Sequence, residues 1–222
     1  MNLDEAIEQL EKIVAEVRQA SLADDKTKLN NALALDQQER PINEGTSEFD
    51  VLVFGDLNDF KHLNDEYGHE AGDVAINKVG EIIYKIVIED LQSKAFRQSG
   101  DEFVILLRQD SVERFLASVS SFHHIVFSYN DKELGTAMSF GYAASDGKTS
   151  FRDLLRRAED ACQYAKVQGD GVCVEWTHEI KLNPLIRIGG RCANCSAKIS
   201  CNVPAQNVPV KLKLCPCCGA PL

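Results

Sequence analysis

The chain has 222 residues, of which 44% are hydrophobic and 26% charged, which excludes disorder over most of its length and fits one ordinary domain plus a small addition. No apolar run approaches the ~20 uncharged residues of a membrane span, and the opening MNLDEAIEQLEK is acidic where a secretion signal is basic, so a soluble, cytoplasmic protein with no membrane contact is expected. The net charge of −10 is unevenly spread: all 34 acidic residues precede residue 180, whereas Lys181, Arg187, Arg191, Lys198, Lys211 and Lys213, five of the six prolines and six of the eight cysteines follow it. These shifts cut the chain near residue 180 into two modules, and with the patterns and motifs along the chain the expected parts are an N-terminal helix over 1–23, a body over 24–178 and a tail over 179–222.

Leu3, Ile7, Leu10, Val14 and Val17 are spaced alternately by four and three, the pattern of a left-handed coiled coil that would dimerise the chain, or of an amphipathic helix packed on its own domain. Strand Phe49–Phe54 follows, then helices Asn58–Asp65 and Glu70–Asp90 separated by the turn Tyr67-Gly68-His69. Two short strands, Ala95–Gln98 and Glu102–Leu107, flank a tight turn at Ser99-Gly100-Asp101. Helix Ser111–Phe122, strands Ile125–Ser128 and Gly135–Ala144, helix Phe151–Lys166 and a last strand at Val172–Trp176 complete the body. That order predicts an α+β fold: a split βαβ, palm or ferredoxin-like arrangement with helices on one face of a mostly antiparallel sheet.

Asp56 ends the first apolar strand and Asp101-Glu102 lie in the turn of a hairpin, so adjacent strands would bring three sequence-distant carboxylates together. Such hard oxygen donors suit Mg²⁺, which takes one or two carboxylates plus substrate phosphates. Asp and Gly also recur in turns for backbone reasons alone, so a solvated turn is the competing reading.

Asp56-Leu-Asn-Asp-Phe60-Lys61-His-Leu-Asn64-Asp-Glu-Tyr67-Gly68-His69-Glu-Ala-Gly72-Asp73, followed by Arg97-Gln-Ser99-Gly100-Asp101-Glu102-Phe103, resembles the GGDEF domain of diguanylate cyclases. Ser139-Phe-Gly141-Tyr-Ala143 and Ala158-Glu-Asp-Ala161-Cys-Gln-Tyr-Ala165-Lys166 are similar to that family's later motifs, and Asp24, Thr27, Leu29 and Asn31 to its opening motif, so the resemblance covers about residues 24–176. It implies condensation of two GTP into cyclic di-GMP and two pyrophosphates, with one GTP on each of two domains face to face in a homodimer. It implies that Asp56, Asp101 and the Leu57 carbonyl hold Mg²⁺ or Mn²⁺, with Glu102 a metal or proton-handling group. It also implies that Asn64 and Asp73 contact the guanine edge, and that Lys61 and Lys166 neutralise the β and γ phosphates.

The sequence departs from the family in four places. Ser99 stands for the first signature glycine, a small-for-small change with little consequence unless the turn needs a positive φ there. Asp170 stands where an arginine near the triphosphate is common, which should weaken GTP binding, and Ala32 stands for the arginine of the opening motif. Asp90 and Ser93 occupy the positions of the Arg-x-x-Asp that forms the family's product-inhibition site, so no inhibition by cyclic di-GMP through it is expected. These departures motivate a second reading, a catalytically weak GTP or cyclic-dinucleotide binding module signalling through its tail. A third keeps the cyclase chemistry with another nucleotide, although Asn64 and Asp73 favour guanine. His62, His69, His123 and His124 carry no expected chemical role.

In the tail, Cys192-Ala-Asn-Cys195 and Cys215-Pro-Cys-Cys218 are separated by nineteen residues, the spacing of a zinc ribbon in which two knuckles form a Cys₄ site. Cys217 competes with Cys218 as the fourth ligand, and Cys201 is spare; Cys162 and Cys173 read as core residues. A module this small cannot bury enough apolar surface by itself, so structural Zn²⁺ is expected, ahead of disulfides or redox pairs. The basic tail has no aromatic residue after Trp176 to stack on bases, which favours a protein partner, or the acidic body of the same chain, over nucleic acid.

Overall fold

The computed structural model describes residues 21–191 throughout, together with 7–10, 12–14, 17, 194–195 and 198–205. In chain order these form α1 (Ala32–Asn43), β1 (Val51–Leu57), α2 (Phe60–Tyr67), α3 (His69–Ile83), β2 (Lys94–Ser99), β3 (Glu102–Leu107), α4 (Val112–Ser118), β4 (Ile125–Tyr129) and β5 (Lys132–Thr136). After these come β6 (Met138–Ala144), α5 (Phe151–Gln168), β7 (Cys173–Glu175), α6 (His178–Leu182), β8 (Leu185–Arg191) and β9 (Lys198–Pro204). The central sheet runs in the order β2-β3-β1-β6-β7. Its pairs are antiparallel except β6 with β7, which are joined by the α5 crossover. This is the expected α+β, mostly antiparallel split βαβ arrangement.

Helices cover both faces of the sheet, not one. In β1 the side chains alternate, Val51, Val53 and Leu57 entering one core and Leu52 and Phe54 the other, as the period of a strand requires. The first core is closed by Ala75, Ile76, Val79 and Ile83 of α3 and Phe115 of α4. The second is closed by Ala34 and Leu35 of α1 and Leu154, Ala158 and Cys162 of α5. The unbroken apolar run Val51-Leu-Val-Phe54 is the composition of a strand buried on both sides. Helix α1 has no counterpart among the predicted elements, because its second half, Gln-Gln-Glu-Arg-Pro41, is polar and contains a proline. Its start is nonetheless well capped: the Asn31 side chain accepts from the Ala34 amide at 3.1 Å.

The strand expected over Gly135–Ala144 is divided in two. β5 turns back on β4 through Asn130 and Asp131, both at positive φ (49° and 60°), the geometry of a two-residue hairpin turn. Among the described residues of the N-terminal helix, Ile7, Leu10, Val14 and Val17 are all exposed, so this stripe is not packed on the sheet domain. The tail contributes the β8–β9 hairpin, with Leu185 opposite Pro204 and Arg191 opposite Lys198. Of the expected zinc ligands, Cys195 is exposed, while Cys192, Cys215 and Cys218, with the competing Cys217, lie outside the described residues. No helix among the described residues is long and apolar enough to cross a membrane.

Candidate functional site

One end of the central sheet gathers the carboxylates. Asp56 of β1 lies directly opposite Glu102 of β3, and the Leu57 amide donates to the Asp101 carbonyl at 3.3 Å, which draws the β2–β3 turn over the end of β1. In that turn only Gly100 has positive φ (+40°), so Ser99 takes the first signature position without strain. The Ser99 hydroxyl instead donates to Glu102 Oε2 at 2.5 Å. The turn is braced from behind by Arg97, whose guanidinium donates to the Gly100 carbonyl at 3.0 and 2.8 Å and pairs with Asp24 at 3.2 Å.

Lys166 arrives from α5, and its place depends on how closely that helix approaches the sheet. A Cβ on Gly141 of β6 would lie 2.1 Å from the Cys162 amide nitrogen and 2.3 Å from the Ala158 carbonyl oxygen, so helix and strand backbones touch there. One turn further along, the Lys166 ammonium stands 2.6 Å from Asp56 Oδ1 and donates to the Leu57 carbonyl at 3.1 Å. Burial pushes the Asp56 carboxyl up to about 6, opposed by Lys166 and reinforced by the charges of Asp101 and Glu102. The three carboxylates of Asp56, Asp101 and Glu102 outnumber the one ammonium of Lys166.

These residues fit a hard divalent cation. The donors are all oxygen, and an ammonium already sits on two of the three groups expected to ligate Mg²⁺, the Asp56 carboxylate and the Leu57 carbonyl. Among the described residues no three His, Cys, Asp or Glu side chains are closed on one point at metal-holding distance.

The second part of the site lies between α2 and α3. A Cβ on Gly72 would fall 2.0 Å from Asn64 Oδ1, so the bare glycine lets the Asn64 amide lie against α3 immediately before Asp73. Asn64 Oδ1 is buried and has no hydrogen-bond partner. Asp73 is half-exposed and ion-paired with Lys26, a residue that sequence reasoning missed, because nothing local marks a pair 47 positions apart. Lys61 is exposed on the first turn of α2 and is not joined to either cluster by a hydrogen bond or ion pair.

The departures also have definite places. Asp170 accepts from the Asn58 side-chain amide at 2.5 Å, and its carbonyl is 2.8 Å from His123 Nδ1, so a carboxylate lines the corner between β1 and α2. Ala32 is exposed at the start of α1. Ser93 is buried and donates to the Leu91 carbonyl, which turns it away from any ligand at the position expected for product inhibition.

A family model described as "Diguanylate cyclase, GGDEF domain" matches residues 21–171. An uncharacterized membrane protein of Staphylococcus haemolyticus is 26% identical over 154 residues, covering 66% of this chain and 41% of that protein. Another from Staphylococcus epidermidis is 25% identical over 163 residues, covering 68% and 43%. The chain thus spans about two fifths of the length of these curated relatives. Among solved structures, the coiled coil and GGDEF domain of DgcB from Caulobacter crescentus, in complex with c-di-GMP, superposes with TM-score 0.67 at 21% identity, over 78% of this chain and 94% of that one. Diguanylate cyclase SiaD of Pseudomonas aeruginosa, in complex with its activator SiaC, gives 0.63 at 24% identity over 78% and 68%. The GGDEF domain of TpbB (YfiN) from the same organism gives 0.62 at 25% over 72% and 97%.

Proposed function

This chain belongs to the GGDEF domain family, and from that premise we propose that it is a diguanylate cyclase, joining two GTP into cyclic di-GMP with release of two pyrophosphates. The observation that carries this reading is the meeting of Asp56, the Leu57 carbonyl, the Asp101-Glu102 turn and Lys166 at one end of the sheet. Asp56, Asp101 and the Leu57 carbonyl would hold Mg²⁺ or Mn²⁺, which when bound stabilises charge on phosphate oxygens and lowers the pKa of a nearby hydroxyl. Asn64 and Asp73 hold the guanine edge, Asp73 accepting from its N–H donors. Lys166 and Lys61 balance phosphate charge, and Glu102, braced by Ser99, accepts the proton of the attacking ribose 3′-hydroxyl. Each hydroxyl attacks the α-phosphate of the GTP on the facing domain, so positioning of two domains is most of the catalysis. The exposed Ile7, Leu10, Val14 and Val17 stripe suits a parallel partner helix that sets this geometry.

A second reading is favoured by Asp170: an anion on the wall beside Asn58 opposes the terminal phosphates, and would leave a domain that binds nucleotide without turning it over. Asp101→Ala separates the two, since a cyclase loses product formation with this change and a binding module has none to lose. For the tail we propose a structural zinc ribbon on Cys192, Cys195, Cys215 and Cys218, supported by the knuckle spacing.

A further inference from the structure

We propose that Lys26 is a base-reading residue, donating to the guanine O6 while Asp73 accepts from N1–H and N2–H. This inference rests on the reading of the Asn64–Asp73 cleft as the base site.

Three positions on one face of α3, spaced by four and three, fasten the segment that carries Lys26. Asp73 pairs with the Lys26 ammonium, the Asn77 side-chain amide donates to the Lys26 carbonyl at 2.7 Å, and Gly80 makes room for Thr27, whose Cβ lies 2.6 Å from where a Gly80 Cβ would stand. The other end of the segment is tied by Asp24, which accepts from the Lys26 amide at 3.2 Å, the Thr27 amide at 2.9 Å and the Thr27 hydroxyl at 2.8 Å. The backbone of Lys26 is therefore held by bonds that do not involve its own side chain, and that side chain is delivered to Asp73 from a fixed base.

The result is an alternation of acceptor and donor beside the buried, unpartnered Oδ1 of Asn64. Guanine presents the complement: a donor at N1, a donor at N2 and an acceptor at O6, and lysine is a recognised partner of O6 while carboxylates accept from base amines. A purine with an amino group at position 6 instead turns a donor toward the ammonium. Lys26 and Asp73 are each about half exposed (46% and 49%), so their mutual pairing is a weak surface contact, and opening it to admit a base edge costs little. Lys26 thus adds, at position 6, to the discrimination against 6-aminopurines that Asp73 exerts at N1.

The test measures binding without turnover, by calorimetry, using α,β-methylene triphosphates of guanosine, inosine and 2,6-diaminopurine riboside with the wild-type chain, Lys26→Leu and Lys26→Arg. Inosine lacks the N2 amine and reports on Asp73; diaminopurine keeps that amine but replaces O6 and the N1 proton. Lys26→Leu should weaken the guanosine nucleotide roughly tenfold, bind the diaminopurine nucleotide no more weakly than the wild type and keep the guanosine-to-inosine ratio, with Lys26→Arg restoring guanosine binding. Unchanged guanosine affinity in Lys26→Leu, or tighter binding, overturns the proposal, the latter making Lys26 a plug on Asp73. A wild-type chain that binds all three alike overturns instead the base-site reading beneath it.

Discussion

Replacing Gly141 by alanine tests whether the approach of α5 to the sheet sets the site. Gly141 does not have positive φ, so the substitution introduces no backbone strain and acts only through space. The added methyl would stand 2.1 Å from the Cys162 nitrogen, 2.3 Å from the Ala158 oxygen and 2.5 Å from the Ala161 carbonyl carbon, all backbone atoms that no rotamer change can move. Normal contact needs roughly 3.4 Å or more, so α5 must retreat by about 1 Å, well beyond the slack of a close-packed interior. Overpacking of this kind costs about 3 kcal/mol, which for a chain of 222 residues lowers Tm by about 6–12 °C. The same retreat carries Lys166 away from Asp56 and Leu57, contacts now at 2.6 and 3.1 Å, so nucleotide affinity should fall with stability. Scanning calorimetry and nucleotide titration on one preparation read both. A Tm within 2 °C of wild type, or a large Tm loss with unaltered nucleotide affinity, would refute the coupling between strand, helix and site.

Asp170→Arg places a cation beside Asn58 and should favour GTP over GDP by about tenfold relative to wild type; an unaltered ratio in competition binding shows that this corner does not meet the terminal phosphate. Asp24 titrates low: burial raises its carboxyl, but the Thr27 hydrogen bonds and the Arg97 guanidinium prevail and hold it below the usual 3.8. Its contribution is complete above the unfolded pKa and lost as pH falls through the lower folded value, so the Tm gap between wild type and Asp24→Asn should be level above about pH 5 and close at more acid pH. A gap undiminished at pH 3 contradicts the assignment. Micromolar cyclic di-GMP should leave the initial rate unchanged in a non-competitive analysis, because Ser93 is buried against Leu91; inhibition abolished by changing Asp90 would show a product site there after all.

The signature hairpin was legible because turn chemistry is local: Gly100 takes the positive φ, Ser99 does not need it, and the apolar runs Ala95-Phe96 and Phe103–Leu107 stand on either side of the turn. The pairing of Asp56 with Glu102 followed from two strand ends read independently. What escaped sequence reading was longer in range or contrary to pattern. Helix α1 hides behind a polar run ending at Pro41, yet Ala34 and Leu35 enter the second core and Ile42 packs against it. Helices on both faces were implied by the unalternating Val51–Phe54 run, which period-two reasoning treats as ambiguous. The Lys26–Asp73 pair depends on Asn77 and Gly80 presenting one helix face to the opening segment, a tertiary match that no spacing within either segment announces.

The central claim is tested most directly by incubating the concentrated, zinc-replete chain with GTP and Mg²⁺ and identifying the products by chromatography and mass. The account predicts cyclic di-GMP and pyrophosphate at a rate rising faster than linearly with protein, abolished by Asp101→Ala. GTP-dependent thermal stabilisation with no cyclic di-GMP at any protein concentration would contradict it, and would make the domain a nucleotide-binding module.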